Sequence, residues 1–301
     1  MTPSRPYEIS KMMHTDAWED PRGFLAEQLS KGRLALVLGA GISFGFGLPT
    51  WDALVNDVAE LLGAVRKPDI SNEDFAEDLW RLSGSKNLEF SETVRKCLYK
   101  RFNSSVDDIC SHRLLASIGA LARPAKRGSV AHIITFNFDN LIETYLEYYG
   151  IQVQPIATLP TWDSNLYDVT ILHPHGLLPL DSRDAVTPIV FTKLDFQRII
   201  GETKNKWRTR MGAILNSNTC LFLGLSGEDE NLMGLASETK NTHVSSSRQD
   251  CYWGVRISAD YNDPYRNKWE QCGVCQFTLR SYNDLPEFLS DLCRRAIKSG
   301  R

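Results

Sequence analysis

The stretch Arg33 to Trp51 reads RLALVLGAGISFGFGLPTW, and its two halves ask for different structures. Leu34 to Leu38 is an unbroken apolar run bounded by glycine, the form of a strand buried on both faces of a parallel sheet. Leu38 to Trp51 then packs four glycines and a proline into a bare loop. Glycine lets a backbone approach a phosphate closely, and N–H groups at a helix N-terminus favour anions, so a strand, a GAG loop and a helix in succession can hold a pyrophosphate. The same glycines also suit an ordinary tight turn. Gly39, Gly41 and Gly45 follow GxGxxxG rather than GxGxxG, and no strand with a terminal acid follows about 20 residues on, as a dehydrogenase requires. Ser43 adds a hydroxyl for phosphate or ribose, while Pro49 and Trp51 mark the start and first-turn anchor of the next helix.

Working outward, short apolar runs alternate with amphipathic segments along the whole chain. Strands are expected at Arg33–Leu38, Ala131–Phe136, Gln152–Ala157, Asp168–Leu172, Thr187–Phe191, Thr219–Leu223, Cys251–Ile257 and Val274–Leu279. Helices are expected at Trp51–Val65, Asp139–Tyr149, Lys204–Ser217, Glu228–Ser237 and Asp284–Ile297. This alternation predicts an α/β fold with a doubly wound, mostly parallel, Rossmann-like sheet. Residues 68–128 break the rhythm, because SNEDFAEDLWRLSG, LEFSETVRKCLYKRF and DDICSHRLLASIGALA carry helical periodicity without a strand. They are read as a helical insertion after the first strand–helix unit, placed to cap the cleft. The expected organisation is a single domain over 1–301, with residues 1–20 as an N-terminal arm that either packs on another subunit or forms a loose tail. Asn241–Asp250, NTHVSSSRQD, reads as a surface loop.

Composition narrows the function classes. The chain has 301 residues, 42% hydrophobic and 24% charged, enough to bury a full core, and its formal net charge of -3 gives no argument for wholesale nucleic-acid or membrane-surface binding. The N-terminal segment lacks a secretory pattern and no apolar run is long enough to span a bilayer, so a cytoplasmic protein is expected. Seven cysteines at irregular spacing predict reduced thiols rather than a disulfide scaffold.

Three further strand ends carry chemistry. ITFNFDNLIE, Ile133–Glu143, crowds Asn137, Asp139 and Asn140 at the carboxyl edge of the sheet, where open α/β folds bind ligands. Capping of the following helix is the plain alternative for Asp139 or Asn137. VTILHPHGLL, Val169–Leu178, ends on His173, His175 and Gly176, with His175 the chosen base or hydroxyl partner. His173 and His175 lack a companion carboxylate or cysteine at ligand spacing, so no metal is predicted. CLFLGLSGEDENL, Cys220–Leu232, offers Gly224 and Ser226 before an acid-rich helix start, again either a nucleotide contact or a capped turn.

In this order, GAGIS with GLPTW, TFNFD, HG and GLSGEDEN resemble the sirtuin-like family of NAD-consuming domains, from Leu34 to the C-terminal helix. The resemblance implies that Asn137 positions a water or the nicotinamide ribose, that Asp139 holds the carboxamide, and that His175 contacts ribose hydroxyls. Gly39, Ala40, Gly41, Ser43, Trp51, Gly224 and Ser226 would line the dinucleotide. Two departures stand out: the deacylases' four-cysteine zinc module is missing, with Cys272 and Cys275 the one CxxC pair, and Phe136 stands where deacylases usually carry glutamine. Both departures resemble bacterial antiphage-defence members that hydrolyse NAD outright.

The expected activity is therefore an NAD glycohydrolase giving nicotinamide and ADP-ribose, the NAD-depleting effector of an abortive-infection system. A cationic nicotinamide is a good leaving group, which suits a site of amide, acid and imidazole without the paired carboxylates of ordinary glycosidases. An NAD-dependent protein deacylase and a non-catalytic NAD or ADP-ribose sensor are the competing readings; a nuclease lacks a carboxylate-rich motif or basic run. The resemblance further implies homo-oligomers and a second defence protein, a translocase-type ATPase or a short Argonaute.

Overall fold

The computed structural model describes residues 20–161, 166–197, 205–243 and 252–299. In chain order the elements are α1 (Arg22–Ser30), β1 (Leu34–Leu38), α2 (Trp51–Leu62), α3 (Asn72–Leu82), α4 (Asn87–Leu98), α5 (Val106–Ser111), α6 (Arg113–Ala122), β2 (His132–Thr135), α7 (Leu141–Tyr148), β3 (Val153–Ile156) and β4 (Val169–Leu172). They continue with α8 (Lys193–Phe196), α9 (Lys206–Ser217), β5 (Thr219–Leu223), α10 (Glu230–His243), β6 (Gly254–Ser258), α11 (Arg266–Gln271), β7 (Val274–Thr278) and α12 (Leu285–Ser299).

Among the described residues seven strands form one sheet in the order β3-β4-β2-β1-β5-β6-β7, and every neighbouring pair is parallel. The chain leaves β1 toward β2 and later returns to its other side as β5. Strand order therefore reverses beside β1, and a crevice opens at the carboxyl ends of β1, β2 and β5. Helices cover both faces, so the central strands are buried on both: Leu34, Leu36 and Leu38 of β1 join the core under α1, α6, α7 and α12, while Ala35 and Val37 join the opposite core under α9, α10 and α11. Edge strand β3 contains Pro155, which has no N–H to donate and is tolerated where one side of the strand carries no neighbour.

Residues 68–128 are helical and divide between two packing environments. α3 and α4 join α2 in a separate apolar cluster around Val55, Phe75, Leu79, Phe90 and Val94, which also receives Leu178 and Phe191. α5 and α6 belong instead to the main core through Ile109, Leu115, Ile118 and Leu121. The first half is thus a satellite beside the carboxyl edge of the sheet, and the second half is a covering layer of the sheet itself.

One expected strand is corrected. Thr187–Phe191 is extended but lies outside the sheet: Thr187 N–H donates to Leu177 O (3.0 Å) and Val190 N–H to His175 O (2.8 Å). Its apolar side chains, Val190 and Phe191, are buried beside the segment after β4, which gives the same sequence signal as a sheet strand. Residues 241–243 of the expected surface loop end α10, and 244–250 lie outside the described residues, as does the arm up to residue 19. Among the described residues no helix is long and apolar enough to cross a membrane.

Candidate active site at the switch point of the sheet

The turn after β1 does not run directly into an α-helix. Two 3-10 turns, Ala40–Ile42 and Phe44–Phe46, come first, and α2 begins only at Trp51, where Thr50 caps it by accepting from Ala53 N–H. Gly39 N–H donates to Leu223 O (3.0 Å) and Gly41 N–H to Gly224 O (3.2 Å). A Cβ on Gly39 would sit 2.5 Å from Gly224 O, and Gly224 itself has φ +67°. These glycines therefore bring the β1 and β5 loops into backbone contact. The Gly39 and Gly41 amides are thus bonded to carbonyls, and the exposed edges of Ala40 and Gly41 lie on the cleft side of the loop. Gly39→Ala is expected to destabilise the fold by about 1–3 kcal/mol through this overpacking. An unchanged denaturant midpoint would show that the two loops yield freely.

Ser43 links the first two clusters. When ionised Asp139 can only accept, so the Ser43 hydroxyl donates to Asp139 Oδ2 (2.8 Å) and its oxygen accepts from Asn137 Nδ2 (3.0 Å). All three are buried. The chain of donors fixes the Asn137 amide with its nitrogen toward Ser43, leaving its carbonyl oxygen as the remaining acceptor. Asp139 Oδ1 accepts from Leu141 N–H (3.2 Å) and so also caps α7. With one donor on each carboxylate oxygen, Asp139 anchors this loop, and each oxygen keeps a second lone pair. Ser43 likewise uses its proton on Asp139 and one lone pair on Asn137, so it ties the β1 loop to the β2 loop.

Burial pushes the Asp139 carboxyl up to about 6 from 3.8, against the Ser43 and Leu141 hydrogen bonds and the nearby His173 charge, while Glu143 adds to the rise. The folded protein then keeps a proton that the unfolded chain has released. The stabilising contribution is full below pH 3.8 and is lost as pH rises through about 6. Asp139→Asn should consequently gain on the parent by roughly 1–3 kcal/mol in unfolding free energy between pH 4 and pH 8. Parallel stability curves for the two proteins would contradict this reading.

His173 and His175, two residues apart, have different environments. His173 is fully buried; its Nε2 lies 2.5 Å from Glu143 Oε1 and its Nδ1 3.3 Å from the Asn137 carbonyl. Both partners are acceptors, so the ring carries two protons and pairs as an imidazolium with a buried carboxylate. Burial lowers its proton affinity, but the Glu143 charge and bond, the Asn137 carbonyl and Asp139 outweigh it, and its pKa is raised. His175 lines the cleft instead, its ring edge-on to Phe136 (4.9 Å) and Phe196 (5.1 Å). Its buried Nε2 has no hydrogen-bond partner among the described residues and lies 3.9 Å from Asp229 Oδ2. Burial lowers the His175 pKa, opposed by Asp229 and by a bond to the Phe136 backbone. Gly176 has φ +92°, and a Cβ there would lie 2.4 Å from Pro188 O, so glycine lets residues 187–190 close over this turn.

The β5 loop is held residue by residue from α11 and β6. Arg256 Nε donates to Leu225 O (2.9 Å), Trp269 Nε1 to Ser226 O (3.2 Å), Lys268 Nζ to Gly227 O (3.1 Å), and Tyr265 OH to Glu228 Oε1 (3.2 Å). Arg256 is itself buried and bonded to Asp263 and Gln276. The exposed Ser226 and the α10-capping Asp229, whose Oδ1 accepts from Leu232 N–H (3.0 Å), are thereby preorganised. Trp269→Phe removes one donor from this clamp and should cost about 1 kcal/mol, read as a lowered denaturant midpoint.

All ten residues expected at the site, Gly39, Ala40, Gly41, Ser43, Trp51, Asn137, Asp139, His175, Gly224 and Ser226, line one cleft of about 930 Å³. Trp51 forms part of its wall, packed edge-on against Phe191 at 4.7 Å. The sequence reading missed Asp229, Phe196, exposed Phe44, and the supporting Glu143. Lys193 is the sole lysine or arginine among the described cleft residues and is paired with Asp74 at 3.2 Å, while Glu73, Glu228 and Glu230 add negative charge. Such a cleft favours cationic groups.

Residues 131–294, which carry Asn137, Asp139, His175, Gly224 and Ser226, match the family model described as a SIR2-like domain. The chain is 26% identical over 255 residues to the NAD(+) hydrolase ThsA of Enterococcus faecium, covering 81% of this chain and 49% of that one. It thus spans about half the length of the curated relative it matches. A crystal structure of a SIR2 homolog–NAD complex aligns over 97% of this chain and 100% of that one, with 13% identity and a TM-score of 0.48. Since the family match takes in more than half of the sequence and every strand from β2 to β7, the chain belongs to the SIR2-like domain family.

Proposed function

We propose that this chain is an NAD glycohydrolase. The observation that carries the reading is the convergence of four strand-end motifs on one cleft, with Asn137 and His175 at its buried end and the similarity to an NAD(+) hydrolase alongside it. NAD and water would give nicotinamide, ADP-ribose and a proton. The bond from ribose C1′ to the ring nitrogen breaks with its electron pair moving onto nicotinamide, which leaves neutral and needs no acid. Water then bonds to C1′ and loses its proton.

Asn137 presents its free amide oxygen to the attacking water or a ribose hydroxyl, and His175 Nε2 receives the proton. Asp139 and Ser43 hold Asn137 in place. The acidic cleft stabilises the positive charge that passes to the oxocarbenium-like ribose as nicotinamide leaves. Gly224, Ser226, Trp51 and the Ala40–Gly41 edge line the rest of the dinucleotide. We place the activity in antiphage defence through NAD depletion, held in check by self-assembly or a second defence protein.

The test is nicotinamide release from NAD by the purified chain, with and without an acyl-lysine peptide. Release independent of peptide supports hydrolysis. Strict dependence on peptide would make the chain a deacylase, and tight binding with no release would make it a sensor.

A further inference from the structure

The proton acceptor of the proposed chemistry is a buried ring nitrogen in the cleft. His175 Nε2 has no hydrogen-bond partner among the described residues, although its side chain is only 8% exposed. With Nε2 unpaired among the described residues and the ring lining the cleft, Nε2 is the nitrogen open to accept a proton, and the neighbouring Phe136 backbone favours the protonated ring.

Two aromatic rings close the sides of His175, Phe136 from the end of β2 and Phe196 from α8. The charged group facing Nε2 is the Asp229 carboxylate at 3.9 Å. Asp139 and Lys193, on the same elements as those rings, also line the cleft, but Asp139 is bonded to Ser43 and Leu141 and Lys193 to Asp74. Asp229 is held in turn: its Oδ1 caps α10 at Leu232, which directs Oδ2 along a fixed course beside the ring.

We propose that Asp229 is a positioning residue acting through His175: its fixed carboxylate stabilises the imidazolium formed when Nε2 takes a proton from the attacking water. The inference rests on the NAD-cleaving reading above. The proton moves from water to Nε2 as the C1′–oxygen bond forms and then passes to solvent, so the ring is unchanged over the cycle.

The experiment uses the full chain with isotope-labelled histidine, comparing the parent with Asp229→Asn, which retains a capping oxygen for Leu232. The His175 resonance among the six histidines is identified by its loss in His175→Gln. In Asp229→Asn the His175 titration midpoint should fall by about one unit. Nicotinamide release should fall about tenfold or more in kcat, with KM changed less than about threefold, and the acidic limb of the pH–rate profile should move to lower pH. Asp229→Ser, which also caps, should behave alike. A midpoint unmoved in folded variants overturns the proposal, as does an unmoved pH–rate profile in an active enzyme. If the parent releases no nicotinamide the glycohydrolase reading fails, while the titration still decides the role of Asp229.

Discussion

Asn137→Ala is expected to lower nicotinamide release from NAD by about a thousandfold while leaving the chain folded. A well-placed polar group at a reacting centre is worth about 10² to 10³ in rate, and Asn137 also holds the ligand end of the Ser43–Asp139 chain. The structural cost is small by comparison. Removing the amide leaves the Ser43 oxygen without its donor but keeps the hydroxyl bond to Asp139, a loss of about 1 kcal/mol. The same size of effect is expected of His175→Ala, whose Nε2 has no structural bond to lose. Initial rates at saturating NAD, with melting curves of both variants, check this. Full activity in either variant removes that residue from the mechanism.

Glu143→Ala should unfold the chain more readily by about 3–5 kcal/mol, because it strands the His173 imidazolium in a fully buried site. Activity should fall with it, since the same imidazolium holds the main-chain carbonyl of Asn137 and so the residue whose side-chain amide faces the cleft. Glu143→Gln should be milder: a neutral His173 can donate from Nδ1 to Asn137 and accept the amide at Nε2. Replacing both partners by leucine should recover much of the stability lost by the single truncation, since no unpaired charge remains. The pair also has a pH signature. With the folded pKa of His173 raised above 6.5, its contribution is complete below that value and fades as pH rises through the folded one. Denaturant midpoints from pH 5 to 9 measure all of this. A cost below about 1 kcal/mol for Glu143→Ala would contradict a buried ion pair.

The fold was legible because parallel strands are greasy on both sides. LALVL and TCLFL, the runs that became β1 and β5, need no context to be recognised. Thr187–Phe191 misled for the same reason: TPIVF is apolar and extended, and periodicity does not report whether an extended segment enters a sheet or lies against a turn. The cleft was legible because each motif ended a strand, and a doubly wound sheet gathers strand ends at its switch point. The supporting layer was not. Glu143 sits on α7 among Leu141, Ile142, Tyr145 and Leu146, and nothing in ETYLE separates a buried acid from a surface one. Asp229 lies in the acid-rich helix start GEDEN, where nothing distinguishes it from its neighbours, and its distance to a histidine 54 positions earlier is a property of the fold. The GAG loop taught a third lesson: glycines that suit a phosphate also suit the meeting of two backbones, and here Gly39 and Gly41 bond to the β5 loop.

The central claim, that water attacks NAD in this cleft, is tested most directly by incubating the purified chain with NAD in ¹⁸O-labelled water and weighing the ADP-ribose formed. Stoichiometric nicotinamide and ADP-ribose bearing the heavy oxygen are expected, both lost in His175→Ala. Undiminished product formation in that variant, or intact NAD despite measurable binding, would contradict it.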